Sequence, residues 1–221
     1  MRVAVIADIH SNLPALEAVL EDIGEARIYS NGDLVGYNPY SNEVIELVKK
    51  HNVICTLGNH DYAVLTGDTA WFNPTAAKAL KWTRENLSKE NMEFLASLPF
   101  FYSTEFYMVH GSPRNHLDEY VTDDYPAEVL GEFFDQIGRA VICLAHTHVP
   151  FVKGLGKRLL FNSGSVGQPR DLDARASYAV LDLEQRRVEI KRVKYDIEMV
   201  VEAVIDAGLP SILGYRLREG K

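Results

Sequence analysis

The chain has only two cysteines in 221 residues, Cys55 and Cys143, and each lies inside an apolar run. That leaves no disulfide framework and no thiolate-rich structural zinc site, and it suits two buried thiols. Long hydrophobic runs are also missing. The longest, Val3–Ala7 and Ala140–Ala145, are far shorter than the roughly 20 apolar residues a helix needs to cross a bilayer. The N-terminus passes from Met1-Arg2 straight into such a run and reaches Asp8 without a signal-peptide pattern, so the expectation is a cytoplasmic protein with no membrane partner. There is no surplus of basic residues. With a net charge of −8, bulk nucleic-acid binding is disfavoured, although a small positive pocket remains compatible with a nucleotide. No Gly/Ser linker, internal repeat or low-complexity segment divides the chain, which predicts a single domain over residues 1–221.

What is present is an alternation of short apolar runs with helical patterns. Arg2–Ala7 reads as a strand buried on both faces. Leu13–Ile23 reads as a helix with Leu16, Val19, Leu20 and Ile23 on one face, Pro14 in its first turn and Asn12 as its cap. A strand at Arg27–Ser30, a helix near Asn42–Lys50 and a strand at Val53–Leu57 follow, an order that predicts a parallel sheet. Thr75–Ser97 reads as two helices, Phe106–Val109 and Ala140–Ala145 as buried strands, and Ala127–Gln136 as a helix between them. The last third predicts strands at Phe151–Lys153, Arg158–Asn162, Ser177–Asp182 and Val188–Val193, antiparallel, and a helix at Ile197–Ala207. The expected class is α/β, two β-sheets covered by helices.

The polar residues fall at the ends of the apolar strands. Val3–Ala7 runs into Asp8-Ile9-His10, Arg27–Ser30 into Asn31-Gly32-Asp33, and Val53–Leu57 into Gly58-Asn59-His60-Asp61. Phe106–Val109 runs into His110-Gly111, and Ala140–Ala145 into His146-Thr147-His148. Ligands of α/β sheets bind beyond the carboxyl ends of the strands, so these clusters mark one site. Five of the seven histidines lie in them; His51 and His116 do not. A single histidine after a strand is more often a hydrogen-bonded structural residue than a ligand, and only the convergence raises these above that base. Imidazole and carboxylate without thiolate suit Mn, Fe, Co, Ni or Zn. Asp8, His10, Asp33, Asn59, His110, His146 and His148 are too many for one four-coordinate ion, which points to two ions sharing a carboxylate.

The blocks Asp8-Ile9-His10, Gly32-Asp33, Gly58-Asn59-His60-Asp61, His110 and Ala145-His146-Thr147-His148 resemble, in order, those of the calcineurin-like metallophosphoesterase superfamily. The segment Asn162-Ser163-Gly164-Ser165 and the short chain resemble its small bacterial and archaeal phosphodiesterase-like branch. The resemblance implies an αββα sandwich of two mixed sheets flanked by helices. It implies one divalent metal on Asp8, His10, Asp33 and His148, and a second on Asp33, Asn59, His110 and His146, with Asp33 bridging. It also implies that His60 is catalytic, protonating the leaving group or steadying developing charge. A hydroxide bridging the two ions would attack a phosphate ester, above all a diester or nucleotide-type small molecule. The same fold also hosts protein phosphatases and non-catalytic interaction scaffolds. Two positions depart from the pattern. Ala145 stands where the family has glycine, and Gly36 stands where the phosphatase branch has an aspartate that orients the catalytic histidine.

Arg114 and Arg170 each follow a proline in a Gly-containing loop and are candidates to grip a non-reacting phosphate, against the ordinary reading of solvated arginines. Tyr37 and His116 are loop candidates for substrate contact. Asp61 reads as a support for His60 or its loop. Trp71, Phe72 and Trp82 read as core or lid residues, with stacking on a base open to any that is exposed. Ser163-Gly164-Ser165-Val166-Gly167 lacks the first glycine of a nucleophile elbow, and Gly154-Leu155-Gly156-Lys157 reads as a hairpin turn.

Overall fold

A computed structural model describes residues 1–221. Two five-stranded sheets pack face to face. The first is built from β1 (Arg2–Ile6), β2 (Arg27–Ser30), β3 (Ile54–Cys55), β9 (Ala176–Asp182) and β10 (Arg187–Val193), in the order β10-β9-β1-β2-β3. The second holds β4 (Phe101–Ser103), β5 (Tyr107–Val109), β6 (Val141–Leu144), β7 (Phe151–Leu155) and β8 (Arg158–Asn162), in the order β4-β5-β6-β8-β7.

Both sheets are mixed. β1, β2 and β3 run parallel, with Val5 opposite Tyr29 and Ser30 opposite Cys55, while β9 joins β1 antiparallel. In the second sheet β5, β6 and β8 are parallel, and β4 and β7 close the edges antiparallel. The late strands are antiparallel as hairpins, β7 with β8 and β9 with β10, but the two hairpins are divided between the sheets.

The strand period of two explains the layering. Ala4 and Ile6 of β1 face a core shared with Leu16, Val19, Val44 and Val48 from α1 (Leu13–Ile23) and α2 (Ser41–Lys50). Val3 and Val5 face the other way, into a seam with Met108, Cys143 and Phe161 of the second sheet. Tyr107, Ile142 and Leu160 turn outward to Leu130, Phe133 and Phe134 of α6 (Ala127–Ile137). Helix, sheet, sheet, helix is the result, and continuous apolar strands are required because both faces are covered. Each seam side chain contributes roughly 1.5–3 kcal/mol by leaving water. Cys55 and Cys143 are free and buried in these cores.

α1 starts where Asn12 accepts a hydrogen bond from Ala15 N at 3.2 Å, with Pro14 in its first turn. The predicted helical stretch after residue 74 is α4 (Pro74–Asn86) and α5 (Lys89–Ala96), preceded by a short α3 (Asn59–Thr66). The chain ends with α7 (Ile197–Asp206), α8 (Ile212–Tyr215) and a 3-10 turn at Arg216–Glu219. Val200, Val204, Leu213 and Leu217 of this terminal segment pack on Tyr37, Ala76 and Ala79. No helix is long and apolar enough to cross a membrane.

Candidate metal centre

The carboxyl ends of β1, β2 and β3 in one sheet and of β5 and β6 in the other open onto the same edge of the sandwich. Asp8 and His10 occupy the turn after β1, Asp33 the loop after β2, and Asn59 and His60 the first turn of α3. His110 follows β5, and His146 and His148 follow β6. All seven proposed ligands and His60 are buried.

The backbone reaches this arrangement under strain. Asp8, His10, Asp33, His146 and His148 all have left-handed φ angles, between 48° and 68°. Each such residue costs of order 1–3 kcal/mol and persists only where the surroundings enforce it. Here the turns continue the strand pairing, with Asp8 N donating to Gly32 O at 3.1 Å and His10 N to Asp33 O at 3.0 Å. From the far side, Gly167 N and Ser165 Oγ donate to Asp8 O at 2.9 and 2.7 Å. Gly58 is dictated by close approach: a Cβ there would lie 2.1 Å from Asp33 Oδ1. Asp61 ties the loops together, accepting from Gly58 N at 3.0 Å and Val35 N at 3.1 Å, so it supports the loop and not the His60 ring.

Hydrogen bonds to carbonyl oxygens set the tautomers of three imidazoles. His10 Nδ1 donates to Val35 O at 3.2 Å, His110 Nδ1 to Asn31 O at 2.9 Å and His148 Nδ1 to Gln168 O at 2.6 Å. Each Nε2 is therefore a lone-pair acceptor. Yet His10 Nε2 faces His148 Nε2 at 3.1 Å and His110 Nε2 faces Asn59 Oδ1 at 2.9 Å, with His146 Nδ1, a donor or an acceptor by its tautomer, 3.2 Å from His110 Nε2. Asp33 Oδ2 lies between the two groups, 3.5 Å from both His10 Nε2 and His110 Nε2. Both Asp8 carboxylate oxygens and Asp33 Oδ2 are buried without a hydrogen-bond partner. Acceptors converging on acceptors in a buried site are repulsive until a cation sits among them. Asp8, His10, Asp33 and His148 offer four ligand atoms within 4.8 Å of one another, and this group can hold a metal ion. The donor set fits a divalent transition metal, being nitrogen and oxygen without sulfur.

The electrostatics agree. Burial, reinforced by the charge of Asp33, holds the Asp8 carboxyl well above its ordinary value, and burial pushes Asp33 up to about 8. Burial, reinforced by the charge of Arg170, keeps His10, His60 and His148 well below the usual imidazole range; burial lowers His110 to about 4 and His146 to about 2. Without a cation the cluster resists carrying negative charge, and a bound cation would reverse that.

His60 has no carboxylate partner. Its Nδ1 is buried and unpaired, facing Gly36, whose φ of +96° and missing side chain make the space; a Cβ there would lie 2.4 Å from that nitrogen. Aromatic packing positions the ring, with centroids of Tyr37, His10 and Phe72 at 4.4, 4.6 and 5.0 Å. The Ala145 methyl is accommodated in the interior, with Ala145 N donating to His110 O at 2.9 Å.

A cleft of about 330 Å³ opens over the cluster, lined by Asp33, Asn59, His60, His146 and His148 and walled by Tyr37, Trp71, Phe72, Asp118, Tyr120, Arg170 and Arg216. Tyr37 and Arg170 are thus brought to the site and bonded to each other, Arg170 Nη2 donating to Tyr37 Oη at 3.1 Å. Arg114 is not: its guanidinium pairs with Glu119 and Tyr125 and lies over Phe133 at 5.0 Å. His116 packs against Phe101, also outside the cleft. Trp71 is exposed beside Phe72, whereas Trp82 packs on the core under Tyr37. Asp118, Tyr120 and Arg216 are cleft residues that sequence reasoning missed. Asp118 Oδ1 lies 3.6 Å from His146 Nε2, and the Tyr120 ring 4.1 Å from that of His146. No periodicity or motif flags them.

A two-sheet α/β sandwich with a buried Asp/His cluster at the shared strand ends is the arrangement that the resemblance to metallophosphoesterases implies. The family model described as the calcineurin-like phosphoesterase superfamily domain matches residues 1–186. The chain belongs to that superfamily. It is 38% identical to the uncharacterized protein MJ0912 of Methanocaldococcus jannaschii over 244 aligned residues, covering 99% of this chain and 98% of the relative. The crystal structure of a metallophosphoesterase from Sphaerobacter thermophilus is 38% identical, with a TM-score of 0.88 over 100% of this chain and 99% of its own. That of the hypothetical protein PH1004 from Pyrococcus horikoshii OT3 is 27% identical, with a TM-score of 0.92 over 100% of this chain and 98% of its own.

Proposed function

We propose that the protein is a two-metal phosphoesterase that hydrolyses a small-molecule phosphate ester, a phosphodiester or nucleotide-type substrate. The observation that carries the reading is the pair of acceptor clusters meeting at Asp33 Oδ2. One ion belongs on Asp8, His10, Asp33 and His148, the other on Asp33, Asn59, His110 and His146. Manganese, iron, cobalt, nickel and zinc all suit these donors. When bound, the ions would acidify a coordinated water for attack on phosphorus and offset charge on the phosphate oxygens.

The chain's own residues supply the rest. Arg170 stands on the cleft wall with its field reaching Asp8, Asp33, His10, His60 and His148, and it orients the phosphate. His60 lines the cleft as a neutral imidazole, because burial and Arg170 hold its pKa well below the ordinary value. It therefore acts by donating an N–H hydrogen bond to a phosphoryl or leaving-group oxygen as charge develops there. Proton delivery as well requires an anionic substrate to raise that pKa. The cleft volume is within the range of small-molecule sites, and Trp71 with Phe72 offers an apolar face to a base or ring.

The test is hydrolysis of bis-p-nitrophenyl phosphate, a diester, and of p-nitrophenyl phosphate, a monoester, by chelator-stripped protein resupplied with Mn²⁺, Co²⁺, Ni²⁺ or Zn²⁺. Metal-dependent turnover is expected. His60→Ala should keep its metal and lose about 10²–10⁴-fold in kcat. Turnover of the monoester alone would make the protein a phosphatase; no turnover with any ion would contradict the enzymatic reading and leave an interaction scaffold.

A further inference from the structure

The C-terminal turn brings a second cation to the cleft. Leu213 and Leu217 anchor it in the cluster beneath Tyr37, Leu172 N donates to Gly220 O at 3.0 Å, and Gln168 Nε2 donates to Lys221 O at 2.5 Å. Gln168 belongs to the loop that carries Arg170, and its carbonyl accepts from His148 Nδ1, so the terminus is fastened to the site's own scaffold.

Between these anchors, Arg216 lines the cleft with its guanidinium 4.3 Å from the centroid of the Tyr37 ring. Its Nε and Nη2 are buried and have no hydrogen-bond partner. Arg170 is equally without a carboxylate: its bonds go to Gln168 Oε1 and Tyr37 Oη, both neutral. Two guanidinium groups without an acidic partner, on one wall of a cleft in a chain of net charge −8, form a site for anions. They are not equivalent. Tyr37 separates them, with Arg170 at its hydroxyl and Arg216 over its face. The field of Arg170 spans the metal-ligand cluster, whereas that of Arg216 is felt at His60.

We propose that Arg216 is a substrate-binding residue that holds a second phosphate, so that the natural substrate carries an anionic group beyond the phosphate that is hydrolysed. This rests on the phosphoesterase reading for the first phosphate. A purely structural Arg216, stacked on Tyr37, is the competing role.

The affinities of AMP, ADP and adenosine 3′,5′-bisphosphate would be measured by calorimetry on the Mn²⁺-loaded full chain. The same probes would compete with bis-p-nitrophenyl phosphate turnover. ADP or the bisphosphate should bind about 10- to 100-fold more tightly than AMP, the worth of a charge-assisted hydrogen bond. Arg216→Gln should bring that ratio to within about threefold, and Arg216→Lys should retain part of it. Thermal unfolding checks that both variants fold. A wild-type ratio below about threefold would overturn the proposal, as would an Arg216→Gln variant that weakens AMP and bisphosphate equally, the mark of a structural role. Calorimetry needs no turnover, so a bisphosphate preference in a protein that hydrolyses nothing would overturn only the catalytic reading.

Discussion

Replacing Asp33 by asparagine should empty the site of metal and, in the same molecule, stabilise the metal-free fold. The amide side chain would keep an oxygen to accept from His60 N, the bond that Asp33 Oδ1 makes at 2.8 Å. It would lose the negative charge that Oδ2 presents to both ligand groups. In the metal-free protein that charge is a burden, because burial raises the Asp33 carboxyl from its ordinary 3.8 to about 8. The unfolded chain ionises near the ordinary value and the folded chain does not, so the wild type's stability falls as pH rises through this window. The slope reaches about 1.4 kcal/mol per pH unit. Asparagine does not titrate. Urea unfolding in chelator should therefore find Asp33→Asn more stable than wild type at pH 8 by between about 1 and 5 kcal/mol, and by less at pH 6. Elemental analysis after reconstitution should find less than one equivalent of metal against two in the wild type. A metal-free variant less stable than wild type at both pH values, or one that retains two equivalents, would show that Asp33 neither burdens the empty fold nor bridges the ions.

Gly36→Asp, which installs the carboxylate of the phosphatase pattern, should lower activity instead of raising it. The new Cβ would lie 2.4 Å from His60 Nδ1 at a φ of +96°, so the ring must move; a kcat at or above wild type would contradict that. Metal should raise the unfolding temperature of the wild type more at pH 8 than at pH 6, because fewer protons then have to leave Asp8 and Asp33 for the ions to bind. Differential scanning fluorimetry with and without Mn²⁺ checks it, and equal gains at both pH values would count against the assigned carboxylates.

The two sheets and the buried Asp/His cluster were legible because strands covered on both faces must be apolar throughout, so each polar block after them stood out. Asp8, Asp33 and His110 illustrate this, each standing just beyond the end of a buried strand. α3 went unread because Asn59, His60 and Asp61 spend its first turn on the site, leaving little apolar face to register as a period. β4 is a three-residue edge strand with exposed Phe101, too short to carry a pattern. The apolar run predicts one strand over Val53–Leu57, but only Ile54–Cys55 pairs with β2, since the chain already turns toward Gly58. Nor could spacing find Arg216. It comes from a terminal turn whose place depends on Leu213 and Leu217 finding the pocket under Tyr37, a contact across most of the chain. Arg114 looked equivalent to Arg170 in sequence, and Glu119, five residues on, engages it outside the cleft.

Anomalous diffraction from crystals grown with Mn²⁺ would show directly whether two ions share Asp33. Two peaks about 3.5–4 Å apart are expected, the spacing of two-metal sites. One should be bounded by Asp8, His10 and His148, the other by Asn59, His110 and His146, with Asp33 between them. A single peak, or density that leaves either triplet of side chains without an ion, would contradict the shared site.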